Sequence, residues 1–133
     1  MYEKFGQFIN GEWCQSSDKS TYEVINPANE EVIGHASKAT NQDVERALKS
    51  AEKGLQIWKK TPPWQRSYII RRIADKIREK QDILAKWMTL EVGKPLTEAK
   101  GEVNGAADIF EWNAEETKRI YGQTVESRFE DTR

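Results

Sequence analysis

Cys14 is the only thiol of this 133-residue chain, and His35 is its only imidazole. A nucleophilic cysteine needs a depressed pKa, from a neighbouring cation or a helix amino terminus, and a base within hydrogen-bond reach. Cys14 falls in a strand-like stretch with no cation beside it. His35 could approach it across a sheet, but one thiol and one imidazole make no signature, and Cys14 reads as a small strand residue. The usual zinc spacings need more Cys or His than the chain has. Glu30-Glu31 and Glu115-Glu116 are adjacent rather than three or four apart, so they make poor acid/base pairs. Gly93-Lys94-Pro95 lacks the first glycine and the Ser/Thr of a phosphate loop, and its proline removes a backbone N–H. It reads as a helix stop. From residue types and spacing, no catalytic, cofactor-binding or metal-binding residue is assigned.

The elements that would position such groups fall into two parts. Gln7-Phe8-Ile9 and Glu12-Trp13-Cys14 flank Asn10-Gly11, a pair that closes tight hairpins. Asp18 to Ser20 form a polar turn, Tyr22 to Ile25 a strand stopped by Asn26-Pro27, and Glu31 to His35 one more short strand. From Thr40 the period becomes helical. Thr40 with Asp43 forms an acidic variant of the capping box. Val44, Ala47, Leu48, Ala51, Leu55 and Trp58 make one apolar stripe. Pro62-Pro63 ends that helix and opens the next, which places Ile70, Ile73, Ile77, Leu84, Trp87 and Met88 inward, with a break expected around Lys80-Gln81-Asp82. After Gly93 a further helix carries Leu96, Ala99, Val103, Ala107, Phe110 and Ala114 and ends near Tyr121-Gly122. The chain is thus α+β: strand-rich over 1–39, helical over 40–122 with three to four amphipathic helices, and an extended, charged connector over 123–133.

Composition narrows the partners. The 21 basic and 22 acidic residues are dispersed and leave a net charge of -1. Neither nucleic acid nor an anionic membrane is expected to bind. No apolar stretch approaches the length of about 20 residues that a membrane helix needs. No signal peptide is visible, and a single cysteine makes no internal disulfide, so a reducing, cytoplasmic setting is expected. The 5 Trp, 4 Tyr and 4 Phe indicate a folded chain.

Several segments, in order, resemble the aldehyde dehydrogenase superfamily. They are Phe8-Ile9-Asn10-Gly11-Glu12-Trp13, Ile25-Asn26-Pro27-Ala28-Asn29-Glu30, the helix from Asp43-Val44 through Ala51, and Trp64-Gln65-Arg66. Thr89-Leu90-Glu91-Val92-Gly93-Lys94-Pro95-Leu96 follows, then Glu98 to Val103, and Trp112-Asn113-Ala114-Glu115-Glu116 leading to Tyr121-Gly122. Ala99-Lys100-Gly101-Glu102 and Trp112 to Tyr121 are most similar to the succinate-semialdehyde dehydrogenase branch.

The resemblance implies an α/β parent several times longer, with a Rossmann-type coenzyme domain to which 1–133 would contribute a part. It implies a homo-oligomer that oxidises a small aldehyde, such as succinate semialdehyde, to its acid with NAD or NADP. In that family a cysteine thiolate attacks the carbonyl, and a glutamate-activated water releases the acyl-enzyme. The resemblance places those residues beyond Arg133, which leaves the chain itself without them and inactive. In some members a monovalent cation lies beside positions that match the Ile25 carbonyl and Glu91, and the Gly105 to Trp112 stretch borders the aldehyde tunnel. The other functional class the residues allow is a non-catalytic helical interaction or assembly module.

Overall fold

The computed structural model describes residues 6–122 and Arg128. The connector expected over 123–133 therefore lies, apart from Arg128, outside the described residues.

β1 (Gln7–Ile9) and β2 (Glu12–Cys14) form the expected hairpin, with Phe8 opposite Trp13. Asn10 and Gly11 both take positive φ, 56° and 83°. This is the turn whose twist matches that of the strands it joins. The Phe8 and Trp13 rings meet at 5.1 Å on the hairpin's face. Gly6, just before β1, passes so close to the Cys14 carbonyl that a side-chain Cβ would lie 2.1 Å from the oxygen. Only glycine fits there.

β3 (Thr21–Ile25) and β4 (Val32–Ser37) pair antiparallel in a second two-stranded sheet, with a register shift at Val24/Ile25. β4 runs two residues past His35, because the pairing continues through Tyr22 with Ala36 and Thr21 with Ser37.

Four helices follow: α1 (Asn41–Trp58), α2 (Pro63–Glu79), α3 (Gln81–Val92) and α4 (Leu96–Glu116). Pro63 occupies the first position of α2, where its missing N–H costs nothing. The expected break falls at Lys80, between α2 and α3. Gly93, left-handed at φ 75°, terminates α3. α4 ends at Glu116, earlier than its periodicity suggests, because Thr117–Arg119 tighten into a 3-10 turn. There Thr117 turns its hydroxyl back to donate to the Asn113 carbonyl at 2.8 Å.

The core is built from small side chains. Ser67 and Ala74 of α2, Ala107 and Ala114 of α4, and Thr117 are buried. Ala85 of α3 with Ala99 and Val103 of α4 forms a second cluster, against which Ile77, Leu84 and Met88 pack. Alanine at such positions lets helix backbones approach closely along their ridges. The larger side chains are pushed to the flanks. Ile73, Leu96 and Phe110, expected inward from their spacing, stay substantially exposed, as do Val44, Leu48, Leu55 and Trp58 of α1. Periodicity identifies an apolar face but cannot say whether the chain contains what covers it.

Replacing Ala107 with leucine should therefore destabilise the fold by about 1–3 kcal/mol through overpacking. Ile57→Ser, at a position 71% exposed, should change stability by less than about 0.5 kcal/mol. Urea unfolding of the two variants beside the parent chain measures both.

Candidate functional site

Cys14 closes β2, and its thiol donates to the Gln7 carbonyl at 3.5 Å. The Arg46 guanidinium of α1 donates to the sulfur through Nη2 at 3.6 Å, a cation that the linear sequence did not place there. His35 lies on β4, opposite Glu23, in the other sheet. No hydrogen bond joins it to Cys14, so the two residues are not assembled into a nucleophile–base pair.

Asp43 is the most deeply buried charged side chain among the described residues, at 1% exposure. Its Oδ2 accepts from the Thr40 N–H at 3.0 Å, the Thr40 hydroxyl at 3.0 Å and the Ser17 N–H at 3.1 Å. The Ser16 and Ser17 hydroxyls reach the same oxygen at 3.3 Å, and Arg46 Nη1 lies 3.4 Å from Oδ1. In return the Thr40 hydroxyl accepts from the Asp43 N–H, which completes the capping box. Backbone N–H groups of Thr40 and Ser17 hold the carboxyl far below the usual carboxylate range. A carboxylate held ionised and so fully engaged has no proton to give near neutral pH. Its role is architectural.

The Thr40–Asp43 half of this network is legible in the sequence; the serine turn that completes it is not. That turn is itself organised by Asp18, whose Oδ1 accepts from the Ser20 hydroxyl at 2.6 Å and the Ser16 hydroxyl at 2.7 Å. These bonds lower the Asp18 pKa to about 2.

Beside the two positions matched to a cation site, the turn after β3 meets the end of α3. Pro27, two residues after Ile25, packs on Gly93, two residues after Glu91: a Cβ on Gly93 would sit 3.0 Å from Pro27 Cγ. The site would receive one carbonyl and one carboxylate from this chain, short of the six or more oxygens of a calcium-like shell. Among the described residues no group of three or more His, Cys, Asp or Glu converges on a metal position.

The Gly105 to Trp112 stretch lies on α4, where it meets α2. Arg71 bridges Glu111, at 2.6 Å, and Glu115; Arg78 bridges Asp108 at 2.7 Å and Glu111 at 2.6 Å. Arg71, Asp108, Glu111 and Glu115 line a cleft of about 410 Å3 with Trp112, Glu116 and Arg119. The cleft's charges are already paired, Asp108 with Arg78 outside the lining and the others within it, and Trp112 is 70% exposed. Spacings such as Arg71/Arg78 and Glu111/Glu115 mark single helix faces, but which faces meet was not readable from them.

The pattern of residues that defines the family described as "Aldehyde dehydrogenase family" matches positions 13–133 of this chain. The chain belongs to that family. It is 45% identical over 126 residues to a glutarate-semialdehyde dehydrogenase of Pseudomonas putida, covering 95% of this chain and 26% of that protein. It is 42% identical over 125 residues to the NADP(+)-designated succinate-semialdehyde dehydrogenase of Escherichia coli (strain K12), covering 94% of this chain and 26% of that one. The betaine aldehyde dehydrogenase of Staphylococcus aureus, solved in complex with NAD+, superposes with a TM-score of 0.90 at 34% identity, over 95% of this chain and 25% of that chain. An aldehyde dehydrogenase from Brucella melitensis biovar abortus superposes with a TM-score of 0.88 at 38% identity, over 92% of this chain and 25% of that chain. The chain spans about a quarter of the length of these family members.

Stability should depend on pH through the two aspartates. Both have folded pKa values depressed below the unfolded value of about 3.9. Their stabilisation is thus present above pH 4 and lost as pH falls from about 4 to 2 and below. Melting temperatures measured at pH 7, 4 and 2.5 should be similar at the first two and lower at the third. Asp43→Asn should lower the melting temperature at pH 7 and shrink the acid-induced drop.

Proposed function

We propose that this chain is the amino-terminal part of an NAD- or NADP-dependent aldehyde dehydrogenase that oxidises a small aldehyde, such as succinate semialdehyde, to its acid. The supporting observation is the near-complete match, at 45% and 42% identity, to two semialdehyde dehydrogenases. The reaction consumes aldehyde, water and oxidised cofactor, and yields acid, reduced cofactor and a proton. A cytoplasmic homo-oligomer is the setting that fits the single cysteine and the family resemblance.

A pyrophosphate needs an open helix amino terminus with free N–H groups. The amino end of α1 is filled by the Asp43 carboxylate. α3 continues directly from the end of α2. As the family resemblance implies, cofactor, nucleophile and base belong to sequence beyond Arg133, and this chain supplies strands and helices that frame them. The exposed apolar face of α1 favours a second reading, in which the chain acts as a non-catalytic assembly module.

Incubated with succinate semialdehyde and NAD or NADP, the isolated chain should give no rise in reduced-cofactor absorbance. Turnover abolished by Cys14→Ala would overturn this assignment. Reading the gene past the Arg133 codon separates the two classes: a continuing frame with a cysteine nucleophile and glutamate base supports the enzyme, and a stop codon supports the module.

A further inference from the structure

Two Asn-Gly pairs occur in this chain, Asn10-Gly11 and Asn104-Gly105, and the fold places them in opposite settings. An asparagine before glycine carries a reaction of its own. The glycine nitrogen can attack the asparagine side-chain carbonyl carbon, and no Cβ on the glycine obstructs the approach. Two freedoms are needed. The glycine N–H must not be tied up in a hydrogen bond, and the backbone between the two residues must be able to turn.

Asn10 and Gly11 are the two loop residues of the β1–β2 hairpin, at φ 56° and 83°. The strand pairing ends at Ile9 opposite Glu12, so the Gly11 N–H lies outside the ladder. Both residues are exposed, and a Cβ placed on Gly11 would meet no atom within 4 Å. Asn10 lines a groove with Glu12 of the hairpin and Arg46, Lys49 and Lys53 of α1. Arg46 is engaged by Asp43 and the Cys14 sulfur. A net positive surrounding favours the negative charge that builds as the Gly11 nitrogen loses its proton. Asn104 and Gly105 lie in the middle of α4. Asn104 is exposed as well, so access to water does not separate the two pairs. The helix does. Its ladder pairs the Gly105 N–H with the carbonyl four residues back and fixes the backbone on both sides.

We propose that Asn10 is a site of spontaneous deamidation and that α4 protects Asn104 from the same reaction. The Gly11 nitrogen forms a bond to Asn10 Cγ, the Cγ–Nδ2 bond breaks, and ammonia leaves with the proton from the Gly11 nitrogen. The five-membered imide that results takes up water at either carbonyl and opens to aspartate or isoaspartate; nothing is oxidised or reduced. Both products put a new carboxylate in the groove of Lys49 and Lys53. Isoaspartate also routes the main chain through the former side chain, one carbon longer, in a turn of only two residues. That displaces the pairing of Phe8 with Trp13. The contrast rests on hydrogen bonding within one hairpin and one helix, and it stands apart from the enzymatic assignment.

The full chain, kept in mildly alkaline buffer and digested at intervals, is mapped by mass spectrometry, with chromatography to separate isoaspartyl from aspartyl peptides. Both pairs are read in the same sample. Asn10 should convert about tenfold faster than Asn104 or more, because the reaction at Asn104 waits for α4 to open. In concentrated urea, where the helix is lost, the two pairs should react at similar rates. Equal rates in native buffer overturn the proposal, as does an Asn10 that stays intact. So does a ratio that urea leaves unchanged, which would assign the preference to flanking sequence rather than to the helix.

Discussion

The close approach of α2 and α4 is the constraint on which the rest of this chain depends. Ala74, Ala107 and Ala114, with Ser67 and Thr117, leave no bulk between the two helices. Their backbones come near enough for Arg71 and Arg78 to span to Glu111, Glu115 and Asp108 along the edge. Pairing raises the arginine pKa values, through Glu115 for Arg71 and Asp108 for Arg78, and lowers that of Glu111 through Arg78. All these groups are partly in water, so the ladder fixes register more than it adds stability. The same economy of volume leaves Ile69, Ile73 and Phe110 on the outside. A core of alanines has no room for them.

The strand-rich part is joined to the helices by small local contacts instead. One carboxylate, Asp43, caps the start of α1 and fastens the serine turn before β3. A second link is Pro27 against Gly93, where the turn after β3 rests on the end of α3. Neither link buries much apolar surface. Each depends on a backbone feature that one substitution would remove: a cap in the first case, a left-handed glycine in the second.

What the sequence made legible was local. Asn10-Gly11, Thr40 with Asp43, Pro63 and Gly93 each carry their geometry within a few residues, and the hairpin, cap, helix start and helix stop all lie where those residues indicate. Burial was less readable. Val103 and Phe110 have the same apolar character and the same helical spacing, yet only Val103 is buried, since that depends on α3 being beside it. The separation of Cys14 and His35 into different sheets depends on strand pairing that no short motif encodes. The family match reads through both gaps because it compares whole ordered segments. It reaches the family without assigning any residue a part in the chemistry that the matched enzymes are named for.

The sharing of one oxygen at Asp43 has a dynamic consequence. The N–H of Ser17 and that of Thr40, from segments on either side of the β3–β4 sheet in sequence, both end on Oδ2. Neither amide can be released without disturbing the acceptor of the other, so the serine turn and the first turn of α1 open as a single unit. Their amide protons will exchange with solvent together, at a rate set by the departure of one side chain, while neighbouring amides in β3 follow the slower or faster breathing of their own sheet.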